Sequence, residues 1–360
     1  MELLKQLYNI HSPSGKEGKM VDFLEDYLKD LGVETYRDKH NNLYGVKGES
    51  DTYPCLVAHT DEVFKTRSAG FEIHMAGEMV FGIDTETHTF VGIGADDKNG
   101  IWVVLKAFQE FEYMKGAFFV DEERGCVGSS KADMIFFEDV RFVLQCDRNG
   151  YGDFINNASG TELHDSEFVS LKDLFAFGYI PARGIMTDVM QLKDNGLKVS
   201  AANISCGYYN AHTDDEYTVF GDLENCFELV SFIITNYVDV YSHESTYSRD
   251  YGAYYKTNGD YSYSDQDYDD SWNLYEAAQV VAQRSADADN EAAVVEQDIY
   301  ANFPNISKEV VYFIIMEIFG EADYPDYDEF DSRTSDTYSK IISNMDFAKM
   351  EEEERKYLVV

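Results

Sequence analysis

Residues 54–61, PCLVAHTD, form a short apolar run that ends directly in a histidine and an acidic residue. Runs of this kind are typical of strands that are buried on both faces of a sheet. Further apolar runs, each bounded by turn residues, lie at 101–108, 117–120, 140–145 and 203–206. Because helical patterns lie between such runs, we predict an α/β fold with a mostly parallel mixed sheet sandwiched by helices.

The spacing of apolar residues predicts a helix over residues 20–31, which ends at Gly32, and a second helix over 227–237. A third helical pattern covers residues 167–177. The composition changes near Tyr241, where Tyr, Asp and Ser become frequent. We therefore predict three segments: an α/β domain over 1–240, a linker over 241–270 and an acidic, mainly helical region over 271–360. Helical patterns within the last segment cover 274–286, 291–300 and 307–319.

The chain carries 29 Lys and Arg against 68 Asp and Glu, which gives a net charge of −39 at pH 7. This composition argues against nucleic-acid and anionic-membrane partners, because both attract basic surfaces. No apolar run reaches the roughly 18–20 residues of a membrane-spanning helix, and the first residues lack the layout of a signal peptide. Scattered cysteines without CxxC spacing indicate reduced core thiols, so we expect a cytoplasmic protein. They are Cys55, Cys126, Cys146, Cys206 and Cys226.

Short motifs with metal-binding side chains stand beside these apolar runs. They are His59-Thr60-Asp61, GADDKNG at 94–100, DEERG at 121–125, Asp147, and YYNAHTDDE at 208–216. Each motif alone has an ordinary structural explanation, such as a helix cap or a solvated acidic turn. Taken together, two histidines and several carboxylates without clustered cysteines suit Zn²⁺, or alternatively Co²⁺ or Mn²⁺.

The residue types within the motifs favour a metal centre for physical reasons. A histidine at a strand end, such as His59, can give one ring nitrogen to a metal while Asp61 holds the other nitrogen. The adjacent carboxylates of Asp96 and Asp97 repel each other unless a cation or a proton offsets their charge. Carboxylates that directly follow a strand, as at 121–123, lie where open α/β sheets bind ligands.

The motifs LVAHTDEV, GIGADDKNG, VDEERGCVGS and ISCGYYNAHTDDEY together resemble those of the co-catalytic dizinc exopeptidase superfamily. This superfamily includes zinc aminopeptidases, peptidase T-like tripeptidases, glutamate carboxypeptidases and acetylornithine deacetylase-like enzymes. The resemblance covers about residues 1–240 and includes IHSPSG at 10–15. It implies a zinc-exopeptidase-like fold, a catalytic domain over 1–240, two Zn²⁺ ions per chain and metallopeptidase activity.

The resemblance implies a metal-binding role for five residues. His59 and His212 would be terminal ligands, one for each zinc ion. Asp96 would bridge the two ions. Glu123 and Asp147 would complete the separate ligand sets.

The resemblance also implies the catalytic residues. Glu122 would be the general base, and Asp61 would orient the histidine two positions before it. A cis peptide bond would join Asp96 to Asp97. Tyr208 or Tyr209 is a candidate donor to the oxyanion of the tetrahedral intermediate, although core packing explains either tyrosine equally well.

Many relatives insert a lid or dimerisation domain between the positions of Asp147 and His212, whereas 64 residues, 148–211, intervene here. The sequence therefore resembles the lidless aminopeptidase-like branch, in which Asp188 matches a recurrent aspartate. This branch implies hydrolysis of the peptide bond at the N-terminus of short peptides.

Two alternative functions remain open at this point. A deacylase of N-acyl amino acids would use the same site and would need a basic residue to hold the substrate carboxylate. The candidates for that residue are Lys98, Arg148 and Arg183. An inactive hydrolase fold that serves as a scaffold is the other alternative, but an intact Glu122 argues against it. Residues 245–360 suit a helical module that makes the chain a homo-oligomer, a lid over the site, or a partner-binding appendage.

Overall fold

A computed structural model describes residues 1–165 and 168–245 of the chain. The helices predicted within 271–360, and all but the first residues of the linker predicted over 241–270, lie outside the described residues. The division of the chain into these three segments therefore stays a prediction.

The described residues form helices and strands that alternate along the chain. The α-helices are α1 Glu2–Asn9, α2 Gly18–Asp30, α3 Ala95–Glu110, α4 Leu171–Ala176, α5 Asp188–Asp194 and α6 Phe220–Asn236. The strands are β1 Glu34–Arg37, β2 Leu43–Lys47, β3 Tyr53–His59, β4 Phe71–Ala76, β5 Met79–Asp84, β6 Thr89–Val91, β7 Met114–Phe119, β8 Val140–Arg148, β9 Asp153–Ala158, β10 Thr161–Glu162, β11 Ile180–Gly184, β12 Ala201–Ser205, β13 Tyr208–Tyr209 and β14 Tyr217–Val219. Short 3-10 helices cover Glu122–Arg124, Ser129–Lys131 and Met134–Phe137.

The main sheet has the strand order β1-β2-β7-β3-β8-β12-β9-β10, and β11 pairs with β9. Its central strands β7, β3, β8 and β12 are parallel, whereas the strands at both flanks are antiparallel. The predicted α/β fold with a mixed sheet and covering helices is therefore confirmed for this part of the chain. The parallel pairing is confined to the centre, where every residue of β3 and β7 is buried.

Helices cover both faces of this sheet. On one face, α3 contacts β3 and β8 and also packs against α1 and α6. A side chain at Gly116 of β7 would lie within 2.6 Å of the Phe108 ring, so glycine lets α3 approach the sheet closely. The next residue, Ala117, points to the opposite face and packs in a cluster with Val189 and Leu192 of α5.

The run 101–108 does not form a strand, because it lies inside α3. Helix α3 buries nearly all of its length between the sheet and the outer helices. A helix that is buried all round has no polar face, so its apolar pattern is the same as that of a buried strand. The helices predicted over 20–31 and 227–237 are present as α2 and α6, the second of which begins seven residues earlier.

A second, smaller sheet was not predicted from the sequence. It has the order β13-β14-β5-β4, with β6 paired to β5. Strand β14 follows the YYNAHTDDE motif directly, so this sheet anchors the chain on the C-terminal side of His212. Residues 171–180 belong to a separate compact unit and contain α4, which is shorter than the helix predicted over 167–177.

All five cysteines are buried and free, as the sequence predicts. Within residues 1–165 and 168–245, no helix is both long and apolar enough to cross a membrane.

A buried histidine in the core predicts a pH-dependent loss of stability. The His164 ring lies 5.4 Å from the Phe154 ring and 5.5 Å from the Phe168 ring, and its Nε2 has no hydrogen-bond partner among residues 1–165 and 168–245. Burial lowers the pKa of His164 to about 4. Because the unfolded chain protonates this ring near pH 6.5, stability falls as the pH drops from 6.5 to 4, by about 3 kcal/mol.

The measurement is urea unfolding of the full chain at several pH values in this range. His164→Phe is expected to flatten the pH dependence, since it removes the group that the unfolded state protonates. His88→Asn replaces an exposed histidine and should keep the wild-type slope. Equal slopes for the wild type and His164→Phe would contradict the assignment.

Candidate metal centre

The predicted site residues meet at the carboxyl edge of the parallel strands. His59 is the last residue of β3, and Asp147 is the penultimate residue of β8. Glu122 and Glu123 follow β7, and Asp96 lies in the first turn of α3. Parallel strands bring their carboxyl ends to one edge, so residues far apart in the sequence become neighbours.

The first group of candidate ligands, here called the His59 cluster, consists of His59, Asp96 and Asp147. The Nε2 of His59 lies 2.9 Å from Oδ1 of Asp96 and 3.6 Å from Oδ1 of Asp147. One oxygen of Glu122 lies 4.0 Å from the same nitrogen. His59 is buried, so its ring is held in this position by the surrounding chain.

The second group, here called the His212 cluster, consists of Asp96, Glu123 and His212. The Nε2 of His212 lies 3.1 Å from Oδ2 of Asp96 and 3.1 Å from Oε1 of Glu123. The His212 side chain is 49% exposed, so this cluster opens toward solvent. Asp96 belongs to both clusters and offers a different carboxylate oxygen to each histidine.

Asp61 connects the first histidine to the two consecutive glutamates. Its carboxylate accepts hydrogen bonds from the backbone N–H of Glu122 at 2.9 Å and of Glu123 at 3.2 Å. The Nδ1 of His59 lies 3.1 Å from the Asp61 carbonyl oxygen and 3.4 Å from its Oδ1. Asp61 therefore contacts the His59 ring mainly through its carbonyl oxygen and holds the turn that carries the glutamates through its side chain.

Asp97 holds the start of α3 against the end of β3. Its carboxylate accepts hydrogen bonds from the backbone N–H of His59 at 3.1 Å and of Gly100 at 3.0 Å. The peptide bond between Asp96 and Asp97 is cis, as the resemblance implies. Asp97 thus has a structural role, while its neighbour Asp96 points into both clusters.

A buried polar network supports Asp147 from the side of α5. The Nε2 of Gln145 donates to Asp147 at 3.0 Å and to Asp188 at 3.1 Å. The Oε1 of Gln145 accepts from the hydroxyl of Thr187 at 2.7 Å and from the N–H of Val189. The amide of Gln145 therefore links Asp188 to Asp147 by two hydrogen bonds.

Burial and mutual repulsion perturb the acid groups of the site. Burial together with the Asp96 charge raises the pKa of Asp147 to about 8. Burial raises the pKa of Glu122 well above its usual value, although His59 partly opposes this. Burial lowers the pKa of His212, but Asp96 and Glu123 outweigh it and raise the value to about 11. The negative charge of the carboxylates in the site is therefore larger than the positive charge that His59 and His212 could supply.

The donor chemistry of both clusters fits divalent zinc. Each cluster offers one imidazole nitrogen and two carboxylates, and zinc accepts both of these ligand types. A bound dication would offset the repulsion among these carboxylates and favour their ionised forms. The residues present therefore fit a dinuclear centre.

The two candidate oxyanion donors are placed differently. Tyr208 is buried, and its hydroxyl lies 3.5 Å from Oδ1 of Asp147, so it borders the site. The hydroxyl of Tyr209 donates to Asp222 at 2.6 Å, and its ring stacks on Tyr217. The structure therefore brings Tyr208 to the clusters and directs Tyr209 elsewhere.

The fold resembles that of solved peptidase structures. Aminopeptidase PepT from Bacillus cereus matches with a TM-score of 0.54 and 15% identity, over 65% of this chain and 96% of that chain. The TET1 peptidase of Pyrococcus horikoshii matches with a TM-score of 0.51 and 14% identity, over 65% of this chain and 98% of that chain. The described part of the chain therefore has the fold of these two peptidases, which is the fold that the motif resemblance implies.

Sequence comparison adds a local similarity. A protein of Pyrococcus abyssi with the provisional name LysW-lysine/LysW-ornithine hydrolase is 38% identical over 63 residues. The match covers 18% of this chain and 19% of that protein, so it spans about a fifth of the relative's length. No family model matches the chain.

Proposed function

We propose that the chain is a dizinc aminopeptidase that hydrolyses the first peptide bond of short peptides. The observation that carries the proposal is the shared carboxylate of Asp96, which joins two His-carboxylate clusters with Glu122 beside one of them. In the proposed assignment, His59, Asp96 and Asp147 hold one ion, and Asp96, Glu123 and His212 hold the other. The ions would polarise the scissile carbonyl and lower the pKa of the attacking water.

Glu122 is the proposed general base. It takes a proton from the attacking water and returns that proton to the departing amine. The thiol of Cys126 donates to Oε1 of Glu122 at 3.2 Å, and the backbone N–H of Glu122 is held by Asp61. These contacts leave Oε2 on the side of His59, where the reaction would occur. The hydroxyl of Tyr208 is the proposed donor to the developing oxyanion.

The placement of basic residues favours an aminopeptidase over a deacylase. A deacylase needs a cation for the free carboxylate of its substrate. Lys98 is buried in an ion pair with Glu62, and Arg148 pairs with Asp153 at 3.1 Å. Arg183 is exposed on β11. Two of the three candidate cations are therefore already engaged by carboxylates of the chain.

The chain between Asp147 and His212 also supports the lidless branch. Within 148–165 and 168–211, strands β9 and β12 and helix α5 contribute to the main sheet and to its covering layer. Apart from 171–180, the described residues of this interval belong to the same compact unit as the α/β sheet.

The experiment that tests the proposal combines metal analysis with a substrate panel. The purified full chain is expected to bind about two zinc ions and to cleave di- and tripeptides that have a free amine. Matched N-acetylated peptides should be resistant. No turnover of either series after addition of Zn²⁺, Co²⁺ or Mn²⁺ would contradict an enzyme and favour the scaffold.

A deacylase is the second candidate, because the local match is to a protein whose name describes a hydrolase of LysW-linked lysine and ornithine. Cleavage confined to N-acyl amino acids, added to the same panel, would establish it. The TET1 peptidase of Pyrococcus horikoshii can assemble into a tetrahedron or a large octahedral shell. This supports the expectation that the present chain also forms a homo-oligomer.

A further inference from the structure

We propose that Glu216 is a positioning residue that fixes the shared ligand Asp96 and sets the zinc affinity of the His212 cluster. The inference rests on the proposed function, because it assumes that these residues hold metal. Glu216 lies four residues after His212, at the end of the same motif. It has no place among the candidate ligands or the proposed catalytic groups.

The carboxylate of Glu216 accepts hydrogen bonds from the segment that carries Asp96. Its Oε2 accepts hydrogen bonds from the backbone N–H of Ile93 at 3.0 Å, Gly94 at 2.6 Å and Ala95 at 3.1 Å. Its Oε1 lies 3.4 Å from the backbone N of Asp96. A single buried carboxylate thus receives four consecutive N–H groups. Charge-assisted bonds to backbone N–H groups are stronger than neutral ones, so this contact fixes the backbone at Asp96.

The position of Glu216 links Asp96 to His212. The backbone between His212 and Glu216 forms a tight turn, in which the N–H of Glu216 donates to the carbonyl of Thr213 at 3.2 Å. Strand β14 begins at the next residue and pairs with β5. The Glu216 carboxylate therefore connects the segment that carries Asp96 to the turn that follows His212. Displacing it moves Asp96 relative to His212.

A purely structural carboxylate elsewhere in the chain provides a matched control. Asp84 ends β5 and is also buried, and its Oδ1 accepts from the N–H of Glu86 at 2.8 Å and of Thr87 at 3.3 Å. It caps a hairpin and lies in neither candidate cluster. Asp84→Asn therefore reports the effect of losing a buried loop-capping carboxylate alone.

The test measures zinc affinity directly, by competition of the metal-free full chain with a chromophoric zinc chelator. His212→Ala identifies which of the two binding steps belongs to the His212 cluster. Glu216→Ala is expected to weaken that step by roughly tenfold or more, since supporting residues of metal sites typically contribute this much. Glu216→Gln keeps one acceptor oxygen and should give an intermediate loss of zinc affinity at that step. If Glu216→Ala does not fold, Glu216→Gln replaces it in the test.

Asp84→Asn should lower the melting temperature while both zinc steps stay at their wild-type affinity. Two unchanged steps in Glu216→Ala and Glu216→Gln would overturn the inference alone. A wild-type chain that takes up no zinc would instead contradict the proposed function, and the inference with it. The two failures are therefore distinguishable in one titration series.

Discussion

Glu122→Gln is expected to reduce peptide hydrolysis by roughly 10²- to 10⁴-fold, which is the usual contribution of a general base. Glutamine has the same shape but does not accept a proton from water. The backbone N–H of Glu122 would still donate to Asp61, so the turn that carries Glu123 should be preserved. The measurement is kcat and kcat/KM on a free-amine dipeptide, together with zinc content.

Zinc content shows whether Glu122→Gln has lost only the general base or also the bound metal. Two zinc ions should remain bound in Glu122→Gln, because the side chain is not a member of either candidate ligand set in the proposed assignment. Glu138→Gln, at an exposed glutamate after the nearby 3-10 helix, is the matched control and should keep full activity. Wild-type turnover in Glu122→Gln would require a different proton acceptor.

The central strands and the candidate ligands at their ends could be predicted from the sequence because two signals coincide. A buried parallel strand is a short apolar run, and its carboxyl end is marked by a change to polar residues. His59 and Asp147 stand at this change. Their proximity then follows from the topology of parallel strands, without knowledge of any particular contact.

The second sheet could not be predicted in the same way. Strand β4 has only partly buried or exposed residues, and β6 is three residues long. Such strands do not show the clean alternation that identifies a half-buried strand. The apolar run inside α3 was ambiguous for the opposite reason, because it is buried on every side.

The supporting residues of the site were missed because their partners are distant in sequence. Glu216 receives N–H groups from residues 120 to 123 positions earlier. Gln145 lies within a predicted strand, and its amide reaches Asp188 of α5 across 43 positions. Nothing in the local pattern identifies the partner of such a residue. A polar residue within or beside an apolar strand is the only signal that could have drawn attention to Gln145.

Replacing Asp96 is expected to have a larger effect on metal binding than replacing any other candidate ligand. Its two oxygens lie 2.9 Å from the Nε2 of His59 and 3.1 Å from the Nε2 of His212, so one side chain serves both clusters. Burial opposes its ionisation, but hydrogen bonds from both histidines outweigh burial and lower the pKa of Asp96. It is therefore a carboxylate at neutral pH and available to bridge two cations.

Asp96→Ala should accordingly bind neither zinc ion at micromolar free metal and should lose activity to the level of the uncatalysed reaction. His212→Ala removes a residue of one cluster only, so it should retain the ion of the His59 cluster. Metal content after dialysis, read beside circular dichroism to verify folding, distinguishes the two variants. One tightly bound ion in Asp96→Ala would show that the clusters do not depend on a shared carboxylate. The bridging assignment requires that a single substitution at this position removes both ions, whereas a substitution at either histidine removes one.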